Sequence, residues 1–229
     1  RDLVTVIGRM ICGSFWERVI MPIIGALLAI RFHPTAVNRA RRASEAIANG
    51  QFILVTRESY EAVGTHAAVK HEVAEDLALA QLYFRAGRPQ LFAFGLRLLG
   101  TRMYTSLAGL VEGWSKNVYV GGRRSYPDEP VLRALIPVMF VCGALFWLLP
   151  PAVLLLALVG VTPALLAAAA WATGLSALFW VLFNAGFGIN PLYGFSYPLG
   201  VVMTGWIFAR STRRGEQRIE WRGRTYTSE

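Results

Sequence analysis

Residues 49–64 read Asn-Gly-Gln-Phe-Ile-Leu-Val-Thr-Arg-Glu-Ser-Tyr-Glu-Ala-Val-Gly, and residues 75–80 read Glu-Asp-Leu-Ala-Leu-Ala. The apolar run at 52–55 has the aromatic and β-branched character of a strand. A short amphipathic helix follows over 58–63. Gly64 ends it, as a residue that tolerates a left-handed conformation should. A polar linker carries two of the three histidines, His66 and His71. The acidic pair Glu75-Asp76 then opens a second helix, which runs to Ala86 with Gly87 as its cap.

Downstream, residues 90–99 read as a strand of imperfect alternation. Met103, Leu107, Leu110, Val111, Trp114 and Val118 then recur at helical spacing. Gly121-Gly122-Arg123-Arg124 reads as a turn carrying positive charge. Upstream, residues 19–30 hold no charge and are broken by Pro22 and Gly25. As a helix that run is about 18 Å long, short of a hydrocarbon core of about 30 Å. Glu17-Arg18 precede it and Arg31 follows it, so it reads as a helix lying in the headgroup region; the plainer alternative is a buried core helix. Arg39, Arg41 and Arg42 are placed to touch anionic headgroups.

The composition is that of a membrane protein. Hydrophobic residues make up 55% of 229 and the mean hydropathy is +0.43, too apolar for an ordinary soluble domain. The net charge of +9 fits a cytoplasmic membrane face. No motif interleaves the basic residues with exposed aromatics, so nucleic acid is not an expected partner. Only Lys70 and Lys116 among the 23 basic residues are lysine; with the high alanine content this points to a GC-rich bacterial genome. Cys12 and Cys142 form neither a disulfide framework nor a metal spacing. Arg1-Asp2 leads straight into Leu3-Val4-Thr5-Val6-Ile7 with neither a Met nor a signal peptide, which reads as the interior of a longer protein. No internal repeat is visible.

Four zones result: an interfacial helix and connector at 1–42, a water-soluble part at 43–130, membrane helices at 131–209, and a basic tail at 210–229. In the third zone, residues 132–161 hold one charge, Arg133, and a Pro150-Pro151 break, while 163–188 and 191–209 hold none. Each is long enough to cross a bilayer. The tail has six Arg against three Glu, which places it in the cytoplasm; Arg123, Arg124 and Arg133 argue the same for the other end. Both ends inside requires an even number of crossings, yet there are three apolar spans. The prolines make the first span the expected re-entrant or split one.

The layout of 49–80 resembles the later half of a membrane-bound family 2 glycosyltransferase, of the subgroup that glycosylates ceramide, hopanoids or carotenoids. That resemblance implies α/β architecture plus membrane helices: the acceptor-side half of a GT-A, Rossmann-like domain, with the nucleotide-binding half preceding Arg1. It implies an inverting transfer of a hexose from a nucleotide sugar, such as a UDP-hexose, to a lipid hydroxyl at the bacterial inner membrane. Without the donor half, the chain alone is expected to be inactive.

Sugar transfer needs a base for the acceptor hydroxyl and positive charge on the leaving phosphates. Asp76 is the candidate base. A helix N-terminus favours negative charge there, although an acidic pair at a helix start is also a common structural device. Glu75 is expected to orient Asp76. Asn49, Gly50 and Gln51 resemble the family's turn beneath the donor sugar, and His66 is placed to line the site. Arg102-Met103-Tyr104 followed by Gly113-Trp114-Ser115-Lys116-Asn117 is a second resemblance, to the helix that closes the family's catalytic domain at the membrane; it gives Arg102, Trp114 and Lys116 substrate-binding roles. The order differs, however, and no Gln-x-x-Arg-Trp string exists. Glu220-Trp221-Arg222-Gly223-Arg224-Thr225-Tyr226 resembles the subgroup's tail and offers Arg222 and Arg224 to phosphate. A divalent metal, Mg or Mn, is implied through an Asp-x-Asp motif that this sequence lacks, so no metal ligand is assigned. Two rivals stand beside this reading: a processive polysaccharide synthase of the same superfamily, and a non-catalytic membrane scaffold or transport subunit.

Overall fold

A computed structural model describes residues 1–215, 219–221 and 224–226. Strand β1 (Leu3–Ile7) is the centre of a small mixed sheet. A short β2 (Arg9–Met10) leads into helix α1 (Phe15–Arg31), and a single turn, α2 (Pro34–Val37), follows. Strand β3 (Ile53–Val55) and helix α3 (Arg57–Ala62) come next, with Gly64 at φ +84 closing the helix. Helix α4 (Glu75–Arg85) leads to β4 (Gln90–Phe94) and to β5 (Gly100–Thr101).

β1 pairs antiparallel with β3, Thr5 opposite Ile53, and parallel with β4, Thr5 opposite Phe92. The expected boundary at residue 42 therefore does not follow the sheet, because β1 completes the unit that holds β3 and β4. The expected strand at 90–99 stops at Phe94, where Gly95 N–H donates to Ile7 O and the chain turns. Helix α4 covers the sheet by burying Leu77, Leu79, Ala80 and Tyr83. Each of the two leucines contributes roughly 1.5–3 kcal/mol of transfer free energy.

Helix α5 (Leu107–Arg124) begins four residues after Met103 and runs through Gly121-Gly122, which the sequence reading had placed in a turn. Gly122 faces a packed neighbour there, since a side chain at it would lie 3.4 Å from Ile136, whereas Gly121 faces open space. Helix α6 (Pro130–Leu158) is continuous through Pro137, Pro150 and Pro151. Helix α7 (Leu166–Gly186) returns antiparallel to it, with Trp147 beside Phe179 and Trp180. A 3₁₀ segment, Pro191–Ser196, then leads into α8 (Tyr197–Arg214). Strands β6 (Ile219–Trp221) and β7 (Arg224–Tyr226) form an antiparallel hairpin.

Four stretches are long and apolar enough to cross a membrane: Phe15–Val37, Pro130–Leu158, Pro163–Gly186 and Pro191–Arg214. Hydrogen-bonded strands, however, stay on one side of a bilayer. β1 precedes α1, β3 and β4 follow it with no second long helix between, and all three share one sheet. A single crossing by α1 would tear that sheet apart.

Pro191–Arg214 is constrained in the same way. Its start lies against β2 and α1: Gly188 sits on the Arg9 side chain and Arg18 donates to Tyr193 Oη at 3.1 Å. Its end lies against α5: Tyr119 N–H donates to Ser211 Oγ, and Glu112 accepts from Arg210 and Arg214. Between these ends the chain descends to the level of Trp147, which meets Tyr197, and climbs back to Phe140, which stacks on Phe208 at 3.7 Å. Seven residues of α6 separate those levels, about 10 Å. The third apolar stretch is thus the one that doubles back, as a 3₁₀ segment followed by α8, while α6 is one continuous helix. The prolines of α6 did not break it, because an isolated lost hydrogen bond or ring clash is tolerated in apolar helices by local adjustment.

Candidate functional site

An open cleft of about 430 Å³ lies beside the sheet, lined by Gly50, Gln51, Phe52, His66, Glu75 and Asp76 among others. β1 and β4 are parallel, and the turn at 49–52 faces the carboxyl end of β1, since Val6 N–H donates to Phe52 O. The carboxyl end of parallel strands is where open α/β sheets bind ligands.

The cleft floor is built from one hydroxyl. Thr5 is buried in the central strand; its Oγ1 accepts from Asn49 N–H at 2.8 Å and donates to Phe52 O at 2.9 Å. Asn49 Oδ1 accepts from Gln51 N–H at 3.0 Å, which tightens the turn. The turn then presents Gly50 N–H to Asp76, donating to Oδ2 at 2.9 Å, while Leu77 N–H donates to Oδ1 at 2.8 Å. A side chain at Gly50 would sit 3.1 Å from Asp76 Oδ2, so glycine keeps the approach open. Gln51 Oε1 is buried without a protein hydrogen-bond partner. On the opposite wall, Tyr60 Oη and His66 Nδ1 share a hydrogen bond of 2.6 Å, and His66 N–H donates to the same hydroxyl at 3.0 Å. Glu75 is exposed at the rim and Asp76 is half-buried.

Asn49, Gly50, Gln51, His66, Glu75 and Asp76 therefore converge from residues 49–76 of the chain. Arg102, Trp114 and Lys116 do not line this cleft. Arg102 makes a two-pronged ion pair with Glu17, at 3.0 and 2.9 Å. Trp114 is buried among Val19, Ile20, Ile24 and Ile207, its Nε1–H directed at Met21 Sδ. Lys116 is buried on α5. A tryptophan at helical spacing on a half-apolar helix faces the core here, away from the cleft. Arg222 lies outside the described residues. Arg224 is paired in register with Trp221, and its side chain lies outside them too.

Thr5 and Tyr60 were missed. A threonine inside the run Leu3-Val4-Thr5-Val6-Ile7 was the available signal, since a buried hydroxyl needs partners. Tyr60, six residues before His66, was the other.

Among the described residues no three His, Cys, Asp or Glu side chains gather as a metal site. The Asp-x-Asp motif through which a divalent ion is implied is not in this sequence, so no step is derived through that ion. Comparison with protein-family models, curated proteins and solved structures found no match to this chain.

Proposed function

We propose that the chain is the acceptor-side part of a membrane-bound glycosyltransferase of the family 2, GT-A type, moving a hexose from a nucleotide sugar such as a UDP-hexose to a lipid hydroxyl. The observation that carries this is the cleft itself. A carboxylate, a glutamine and a Tyr–His pair line one open volume at the carboxyl end of parallel strands. Each Asp76 oxygen has a second acceptor direction beyond its backbone donor, and the two N–H groups fix its orientation. In the transfer, Asp76 takes the proton of the lipid hydroxyl. That oxygen attacks the anomeric carbon from the face opposite the nucleotide, and the bond from that carbon to the diphosphate oxygen breaks, inverting the centre.

The membrane reading follows the packing. α6 and α7 cross as a hairpin, while α1 and Pro191–Arg214 stay on the side of the sheet. Two crossings put both ends on one face, and Arg124, Arg133, Arg210 and Arg214 mark that face as cytoplasmic at a bacterial inner membrane.

A second reading has one observation in its favour. The two backbone bonds of Asp76 would also suit a plain latch between the 49–52 turn and α4. Asp76→Asn separates the two, because an amide oxygen still accepts from Gly50 N–H. In the intact protein, loss of at least about 10²-fold in sugar transfer to lipid with unchanged thermal stability supports the base. Near-parent transfer leaves only the latch.

A further inference from the structure

A second cavity of about 310 Å³ lies where α7 meets the sheet unit, away from the Asp76 cleft; Arg9, Cys12, Arg18, Gly188 and Asn190 are among its lining residues. Arg9 is exposed on β2 and its aliphatic stem rests against Gly188. Arg18 is fixed by neutral acceptors alone: Nε–H donates to Cys12 O at 3.2 Å, Nη2 to Gly13 O at 3.4 Å and Nη1 to Tyr193 Oη at 3.1 Å. Its guanidinium also lies over the Tyr193 ring, 5.3 Å from the centroid.

The carboxylate near this cavity is Glu17, and it is spent. It accepts from Arg102 twice and from Gly13 and Ser14 N–H. Glu17 and Arg102 cancel, which leaves the charges of Arg9 and Arg18 without an acidic partner among the described residues. The Cys12 thiol adds no negative charge, since burial pushes it up to about 11.

The rim has the opposite character. Ile11, Phe15, Leu192 and Phe195 are exposed at 42%, 47%, 70% and 65%. Ile11 lines the pocket itself, Phe15 begins α1 and Leu192 and Phe195 lie on the segment that follows Asn190, beside α7, an apolar helix whose own surface is mostly uncovered. A small soluble anion needs the arginines and gains nothing from such a rim. A molecule with a phosphate and acyl chains uses both, because a guanidinium holds phosphate oxygens in pairs while the chains run down the outside of α7 and Pro191–Ser196.

We propose that this pocket is a binding site for the phosphate of an anionic membrane phospholipid, separate from the Asp76 cleft and holding a lipid that is not the sugar acceptor. Arg9 is the adjustable contact and Arg18 the pre-set one. The proposal is independent of sugar transfer and goes beyond it: it assigns the chain a lipid that anchors the junction of α1, α7 and the sheet.

The test uses the intact protein in nanodiscs of phosphatidylcholine with phosphatidylglycerol, extracted gently and examined by native mass spectrometry for co-purifying lipid. Arg9→Glu and Arg9→Ala are the variants, with Arg9→Lys as a charge-keeping control; Arg9 is exposed, so folding is not at stake. Retained phosphatidylglycerol is expected to fall on the order of tenfold in Arg9→Glu and to be largely kept in Arg9→Lys. Inorganic phosphate in excess should fail to displace the lipid from the parent protein. Equal phosphatidylglycerol retention in Arg9→Glu and parent overturns the proposal. Full displacement by inorganic phosphate also overturns it, by showing a soluble-anion site.

Discussion

α6 and α7 on one hand, and α1 and α8 on the other, are all apolar enough for a bilayer, yet they are covered differently. In their most apolar windows, Pro130–Leu158 and Pro163–Gly186 are 6% and 11% buried by the rest of the chain, against 44% and 39% for Phe15–Val37 and Pro191–Arg214. Glycines draw the same line. A side chain at Gly143, Gly174 or Gly186 would meet nothing within 4 Å, whereas at Gly200 it would meet Val19 O at 2.4 Å and at Gly194 the backbone of Val181 at 2.4 Å. Apolar sequence alone marks a helix as dry. Whether lipid or protein keeps it dry is decided by its neighbours, and here the second pair forms a protein-packed layer between sheet and hairpin.

The largest expected loss on the packed side comes from Glu17, which is 2% exposed. It caps α1 through Gly13 and Ser14 and takes both prongs of Arg102. Glu17→Ala should cost about 3 kcal/mol, the low end for breaking a buried pair because Arg102 itself is partly exposed. Thermal unfolding in detergent measures it. Arg102, with Ser14 and Gly13, holds the Glu17 carboxyl down to about 2 from 4.5. Its contribution is therefore present above the ordinary carboxylate range and lost as pH falls toward about 2. The parent should lose stability over that acid window more steeply than Glu17→Gln; parallel curves would show that the pair does not hold α1.

Next in size is a pair of identical substitutions. Gly200→Ala drives a methyl into the backbone of α1 and should cost about 1–3 kcal/mol. Gly174→Ala, facing open space, should be neutral or stabilising by up to about 1 kcal/mol. Equal costs in the two would erase the distinction between the helix pairs. The smallest effect is expected at Glu112, which is 40% exposed where it meets Arg210 and Arg214. Glu112→Ala should cost less than about 1 kcal/mol and less still in high salt. A larger cost would mean that charge, rather than packing on Val19 and Ile23, seats α8.

Local chemistry made the Asp76 cleft legible. The strand at 53–55, the helix at 57–62, the Gly64 stop and the acid-led helix at Glu75 all depend on near neighbours in sequence, and they were read close to their observed places. The turn that meets Asp76 is held by Thr5, which is 44 residues from Asn49, and periodicity holds no trace of such a partner. Trp114 and Arg102 sit away from the cleft for the same reason: an aromatic near a basic residue looks alike in sequence at a membrane mouth, in a core and beside a partly exposed ion pair. The crossing number needed β1 in the sheet and Tyr197 beside Trp147, both long-range facts, so counting apolar runs stopped at an odd number.

The two-crossing topology is most directly tested by labelling single cysteines with a membrane-impermeant reagent in oriented membranes, in a background carrying Cys12→Ala and Cys142→Ala. Ile11→Cys and Arg41→Cys flank α1, Asn190→Cys and Arg213→Cys flank the Pro191–Arg214 stretch, and Val161→Cys, exposed at 65%, sits at the tip of the α6–α7 hairpin. The first four should label from one side and Val161→Cys from the other. Opposite-side labelling of Ile11→Cys and Arg41→Cys, or of Asn190→Cys and Arg213→Cys, would contradict it.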